Sequence, residues 1–476
     1  MRKIPLNFFT GPPSVYSLLY LAISFISSLF FGTRLFSELG SDFGVYFVGA
    51  LSIREDFSLY GGFFDHKGPL YYAFIKLLGF FVPYSLFGAS LVLFATCLGW
   101  FLSIIFSAKL LKIPEKTTLL LIVIANSALV NQPSNASIGI FQASLGIIFL
   151  AFLKKYKSSE KFIWFFLATF SISCAILTRI DAVLFLPIIF YFIGFRKVVR
   201  IFVFISFVIV EFLILLSFLA FALHFSFADF WNQAVIFNFT TYADVSNSLG
   251  FNSHLWSIFV LFKSLCVSGL VLVLIYVFFS LLKSGKIIVR QDFIVLFSYG
   301  LTIFVVVGSS KDYHRFIFYV FFIAALFSID LSKLTRRFVG MALLSLVLIS
   351  SVFLSKNVTQ SKCIFANKCP NPYQNLVRES DSVSFFINQG WPYLFSDRYP
   401  DVAFTSYFPL LIYIQGASEK VIADANGFEG TTIVLVKSDY LSLVESPDSL
   451  IKRFLSEYGA PQELVHGYLH FNRFKS

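Results

Sequence analysis

Charge is what this chain of 476 residues has least of: 13% of its residues are Asp, Glu, Lys or Arg, against 57% hydrophobic and 19% aromatic. An ordinary soluble domain carries about a quarter charged residues. With so little polar surface the chain could not coat a globule of this size, which excludes a soluble enzyme and a disordered protein. Five cysteines in a chain this long exclude a disulfide-stapled secreted scaffold. There is no P-loop, dinucleotide fingerprint, zinc-type cysteine pairing or GxSxG nucleophile elbow, which argues against a nucleotide-driven machine. What remains is a protein whose main solvent is lipid.

Long apolar runs fill residues 1–355. Reading each run against the ~20 residues that cross a hydrocarbon core gives about eleven spans. They lie near Val15–Thr33, Leu86–Ala108, Thr117–Val130, Ser137–Leu153, Phe162–Leu177, Ala182–Phe195, Ile201–Phe225, Leu255–Leu282, Phe293–Gly308, Arg315–Ile329 and Phe338–Leu354. The connections between them alternate in charge. Arg2 and Lys3 precede the first span. Lys109, Lys112 and Lys116 follow the second. Lys154, Lys155, Lys157 and Lys161 come next, then Arg196, Lys197 and Arg200, then Lys283, Lys286 and Arg290, then Lys333, Arg336 and Arg337. Every second connection is basic, so the positive-inside rule places the N-terminus in the cytoplasm and everything after Leu354 outside. The net charge of +11 is therefore a topology signal and not a nucleic-acid footprint, because the tail beyond residue 355 is slightly acidic.

These features predict an all-α polytopic membrane protein with interfacial helices in its first outer loop. Residues 1–355 form the transmembrane module, with 34–85 as the outer catalytic loop, and 356–476 form a small extracytoplasmic α/β domain. In that tail Thr431–Lys437 reads as a strand and Ser449–Tyr458 as a short helix. Cys97, Cys174 and Cys266 read as buried thiols, whereas Cys363 and Cys369 lie where an oxidising compartment would permit a small disulfide loop.

The first outer loop concentrates the chemistry. Asp42 follows the first span closely. Asp65-His66-Lys67-Gly68-Pro69 precedes Leu70–Phe81, an amphipathic run too short to span, whose Tyr71, Tyr72 and Phe74 are expected at headgroup level. A carboxylate and a cationic cluster thus sit at the depth of a lipid phosphate. Moving a sugar from a polyprenyl phosphate needs a base for the acceptor hydroxyl, which Asp42 would supply. It also needs cations for the departing phosphate, the role of Lys67 with His66. A second cluster, Lys311-Asp312-Tyr313-His314-Arg315, would close the phosphate site through Lys311, His314 and Arg315. Each group has a plainer reading beside this one. Asp42 would serve as a helix N-cap, Lys67 and His66 as snorkelling anchors, Arg315 and His314 as headgroup anchors of a span, and Arg179 with Asp181 as a mutual ion pair. Glu211, mid-span, must be protonated, paired or facing a wet cavity.

These residues resemble the membrane-embedded glycosyltransferases of the GT-C fold, family 39, which include protein O-mannosyltransferases and the lipid A aminoarabinose transferase. The likeness is carried by Asp42 after the first span, Tyr60 with Gly61-Gly62, His66-Lys67-Gly68-Pro69-Leu70-Tyr71-Tyr72 before an interfacial helix, and Arg315 in a late outer loop. In the tail it is carried by Tyr393–Asp397, Tyr399-Pro400, Thr431–Val436 and Tyr468–Arg473. The resemblance implies Asp42 as catalytic carboxylate and Lys67 as ligand of the donor phosphate. Three departures stand out: Gly68 replaces the family's first proline, Asp42 is followed by Phe43 and not by Glu, and Asn131-Gln132-Pro133-Ser134-Asn135 has no second acid.

The expected activity is inverting transfer of a hexose or pentose from a polyprenyl-phosphate donor to a lipid, glycan or protein acceptor. It would take place at the outer face of what is expected to be a bacterial inner membrane. Tyr60, Asn135, Arg179 and Asp181 are further candidates to touch substrate, and Asp65 with His66 is a weak candidate pair for a divalent metal ion. No other cofactor and no nucleic acid is expected. Two other readings remain open at this level. An O-antigen polymerase or ligase usually places its large active loop late in the chain. A transporter or flippase would show inverted repeats and several intramembrane charges, and only Glu211 is clearly central.

Overall fold

A computed structural model describes residues 14–33, 42–55, 57–61, 63–65, 67–130, 137–237, 291–307, 312–328, 383–386, 404–405, 432–436, 462–465 and 468–472. The helical part is a bundle built from α1 (Val15–Thr33), α2 (Asp42–Ser52), α3 (Pro69–Gly79), α4 (Leu86–Leu110), α5 (Glu115–Val130), α6 (Ser137–Ser159) and α7 (Phe162–Thr178). It continues through α8 (Ile188–Ile193), α9 (Val198–Ala222) and α10 (Phe227–Phe230), and then through α11 (Gln291–Val307) and α12 (Asp312–Leu326). Its apolar helices are those of a polytopic membrane protein. Among the described residues α1, α4, α6 and α9 are long and apolar enough to cross a membrane on their own. The expected spans Leu255–Leu282 and Phe338–Leu354 lie outside the described residues.

The core is organised around α6, which packs against α4, α7 and α12. Its small residues allow this: a side chain added at Gly146 would press on the Phe185 ring at 3.2 Å and on Val320 at 3.3 Å. From Phe316 to Leu326 every described side chain of α12 is buried, as expected of a helix apolar all round. Trp100 of α4 is fully buried and meets Phe316 edge-on at 6.2 Å. By contrast α1 and α9 leave much of their apolar surface open, including Leu18, Phe25, Phe202, Ile214 and Phe221, the pattern of helices facing lipid.

One expected span is broken. Residues 182–195 were expected to form a single helix, but Ile180–Phe185 is a 3₁₀ turn and α8 begins only after Pro187. Proline cannot donate to the turn behind it and crowds the preceding residue, so the helix restarts there. Gly194, at φ 96, then closes α8 in a conformation that favours glycine.

The basic connections share one end of the bundle. Ser14, just before α1, donates its hydroxyl to Glu115 at the start of α5, and Lys116 lies over the Tyr16 ring at 5.7 Å. Lys157 near the end of α6 reaches Asp292 at the start of α11 (3.0 Å). Glu160 between α6 and α7 pairs with Lys197 (2.8 Å), just before α9, and with Arg200 (3.3 Å) in the first turn of α9.

In the tail a four-stranded sheet runs β2 (Val383–Phe386), β4 (Thr432–Val436), β6 (Tyr468–Asn472), β5 (Gln462–Val465) in spatial order. β2 is parallel to β4, and β6 is antiparallel to both β4 and β5. β4 matches the strand expected at Thr431–Lys437. The expected helix Ser449–Tyr458, Cys363, Cys369, Tyr393–Asp397 and Tyr399-Pro400 lie outside the described residues.

Candidate active site

The end of the bundle opposite the basic turns carries the first-loop residues. After α2 the chain makes a tight turn in which Arg54 and Phe57 exchange two backbone hydrogen bonds of 3.1 Å. It is then tied to the end of α9 by Leu59 N–H donating to Leu223 O (3.1 Å). Tyr60 follows at φ 64. A left-handed tyrosine costs roughly 1–2 kcal/mol, and the residue is fully enclosed, so its neighbours over-determine it. Phe225 and Phe230 pack on its ring at 5.2 and 6.0 Å. Burial, with the Asp65 carboxylate nearby, raises its hydroxyl well above the ordinary value, so Tyr60 acts as a hydrogen-bond donor. That donated bond runs to the backbone carbonyl of Lys67 at 2.5 Å.

Gly68 N–H donates to Thr178 O at the end of α7 (3.0 Å). A Cβ on Gly68 would lie 2.0 Å from the Leu177 carbonyl oxygen, so only glycine lets the two backbones meet. The departure from the family's proline thus has a local cause. Lys67 is 4% exposed, which corrects the picture of an anchor reaching into bulk headgroups. Asp65 is 2% exposed and accepts the Tyr72 hydroxyl.

α3 starts at Pro69, a favoured first helical residue. Tyr71 and Tyr72, expected at headgroup level, are instead fully buried. Tyr46 of α2 meets both edge-on at 6.3 and 6.0 Å. The apolar end of α3 is what remains exposed, at Leu77, Phe80 and Phe81. The reason is that α3 is enclosed by α2, α4, α7 and α9, with Tyr71 also against Phe141 of α6, partners that amphipathicity alone does not reveal. Lys76 donates to the carbonyls of Ile53 (3.1 Å) and Ala222 (3.3 Å), and burial lowers its pKa.

Asp42 is the first residue of α2, four residues before Tyr46. Tyr46 meets Tyr72, whose hydroxyl donates to Asp65. His314 and Arg315 lie in the first turn of α12. α12 packs on α6, with Val320 against Gly146, and just beyond its end Ser328 accepts from Lys154. His66, Asn135 and Lys311 lie outside the described residues.

Arg179 and Asp181 form the expected pair at 2.7 Å, and Gln142 of α6 donates to the same carboxylate at 2.6 Å. Arg179 directly follows the Thr178 carbonyl that receives Gly68, so the pair flanks the lysine segment. No group of three or more His, Cys, Asp or Glu that could hold a metal ion occurs among the described residues. Glu211 accepts a hydrogen bond from Thr169 Oγ1 (3.0 Å), and its Oε2 is buried without a partner among the described residues.

Sequence reasoning did not single out Gln142, Thr178 or Gln233 for this site. Gln142 and Gln233 were legible only as polar residues in apolar company. Thr178 contributes its backbone, which carries no sequence signal. The tail also reaches this end: Phe63–Phe64 (β1) pairs in parallel with Phe404–Thr405 (β3).

No protein-family model matches this sequence, and none of the curated proteins matches it. Among solved structures, the chain is similar to ArnT from Cupriavidus metallidurans bound to undecaprenyl phosphate. The match has a TM-score of 0.58 and 11% identity, and covers 97% of this chain and 98% of that one. Nearly the whole length of both chains superposes, and the fold of this protein is the GT-C fold of that membrane enzyme.

Proposed function

We propose that this protein is an inverting glycosyltransferase that moves a sugar from a polyprenyl-phosphate donor to a lipid, glycan or protein acceptor on the outer side of the membrane. The observation that carries this reading is the enclosure of Lys67. A lysine 4% exposed at one end of a lipid-embedded bundle, backbone-locked by Tyr60 and Thr178, suits a buried anion better than bulk headgroups. The fold's likeness to a protein bound to undecaprenyl phosphate supports a lipid phosphate as that anion.

In the reaction, the Asp42 carboxylate takes the acceptor's hydroxyl proton. The acceptor oxygen attacks the anomeric carbon from the face opposite the phosphate, and the bond from that carbon to the phosphate oxygen breaks. The electron pair leaves on the polyprenyl phosphate, whose growing charge is met by Lys67 and Arg315. A single displacement inverts the anomeric centre. The donor arrives already activated, so no nucleotide is consumed. Arg179 and Asp181 are assigned to the substrate surroundings, Tyr60 is enclosed and acts through the Lys67 carbonyl, and Asp65 holds Tyr72 and with it the start of α3. Basic turns at the opposite end support an N-terminus in the cytoplasm and a tail outside.

The test is binding of undecaprenyl phosphate to the purified full chain in detergent. Wild type is expected to bind saturably, and Lys67→Ala to weaken binding by about tenfold or more, the loss of one charge-assisted contact. Equal affinity in the two proteins would overturn the assignment of Lys67.

A further inference from the structure

After α10 the chain is wound as a π-helix over Trp231–Ile236, a wide turn that recurs at functional sites. It delivers Gln233 into the protein at 4% exposure. Gln233 Nε2 donates to the Tyr60 carbonyl at 2.6 Å, bridging 173 residues of chain. Tyr60 in turn donates its hydroxyl to the Lys67 carbonyl at 2.5 Å. The two bonds run in series from a distant helix to the backbone of one lysine. Gln233 Oε1 is buried and has no hydrogen-bond partner among the described residues. A glutamine kept only to fill space would be better replaced by an apolar side chain of its size, because a buried acceptor left unmade is costly. The same residue also steadies a tyrosine in a left-handed conformation that favours glycine.

We infer that Gln233 is a positioning residue for the lipid-phosphate site. Through Tyr60 it fixes the backbone of Lys67, so that the ammonium meets the phosphate without reorganising. The inference rests on the reading of Lys67 as a phosphate ligand and adds to it the element that aims the lysine. It also gives the π-helix a task, since that segment carries the residue that bonds Tyr60.

The experiment compares two probes on the full chain in detergent, undecaprenyl phosphate and undecaprenol, which lacks the phosphate. Gln233→Leu and Tyr60→Phe are each expected to weaken undecaprenyl phosphate binding about tenfold, one hydrogen bond's worth, and to leave undecaprenol binding unchanged. Because the bonds act in series, the double variant should bind no worse than either single one. Equal loss for both lipids, additive losses, or no loss would each overturn the inference. Lys67→Ala separates the two levels. If it loses phosphate binding while Gln233→Leu and Tyr60→Phe do not, the positioning role falls and the phosphate site stands. If Lys67→Ala keeps phosphate binding, the site itself falls. Should Gln233→Leu not fold, Tyr60→Phe alone decides by the same comparison.

Discussion

Between Asp65 and Gly68 each residue is fixed by a different neighbour: Asp65 by the Tyr72 hydroxyl, Lys67 through its carbonyl by Tyr60, and Gly68 by the Thr178 carbonyl. Backbone clearance decides residue 68. Its φ of −72° would suit proline, the residue found there in the family this chain resembles. Proline would nevertheless remove the N–H given to Thr178 and set a Cβ against the Leu177 carbonyl. Gly68→Pro is therefore expected to destabilise by about 1 kcal/mol for the lost bond, and by more for the displaced backbone. Gly68→Ala should suffer only the second effect. Thermal unfolding of the two variants in detergent checks the order; a Gly68→Pro as stable as wild type would contradict it. Asp42 and Lys67 stand out as candidates in the sequence because charge is so scarce in this chain, and the Arg179–Asp181 pairing was legible for the same reason. Gln233 and Thr178 were not, because one acts through a neutral amide and the other through a backbone carbonyl.

Among the helices, α1 coincides with the span expected at Val15–Thr33, and α4, α6 and α7 begin where the sequence places them. Apolar length and flanking charge dictate such boundaries. The stretch after Arg179 was misread because its apolar content continues through Pro187 while its backbone does not. Likewise α3 was identified as amphipathic, but its buried residues depend on α2, α4, α7 and α9, which sequence periodicity cannot pair with it. The charged turns yield a pH prediction. Lys197, by hydrogen bond and charge, and then Arg200 hold the Glu160 carboxyl below its ordinary 4.5. A carboxyl depressed in the folded state adds stability above its unfolded pKa and gives it up as pH falls through the folded value. The turn between α6 and α7 is thus expected to lose its tie to the start of α9 only below about pH 4.5. Glu160→Gln should flatten the decline of the unfolding midpoint in that range, by a small amount because the group is exposed. An equally steep decline in the variant would contradict the assignment.

At the scale of the whole molecule, the GT-C fold was legible without a family model. Alternating basic connections, a charged first loop and a strand-bearing tail are all consequences of living in lipid with one working face. A likeness of 11% identity over 97% of the chain fits that logic: packing and topology persist while side chains drift. The sequence left unread how the tail meets the first loop. The pairing of Phe63–Phe64 with Phe404–Thr405 is made by backbone groups, on which hydropathy is silent. The central claim is that Asp42 performs chemistry on a lipid-phosphate sugar that other residues bind. Its most direct test is to give purified wild type and Asp42→Asn a panel of labelled undecaprenyl-phosphate-linked sugars, following undecaprenyl phosphate binding and sugar transfer together. The account predicts that Asp42→Asn binds undecaprenyl phosphate as wild type does and transfers no sugar. Transfer at the wild-type rate by Asp42→Asn would contradict it.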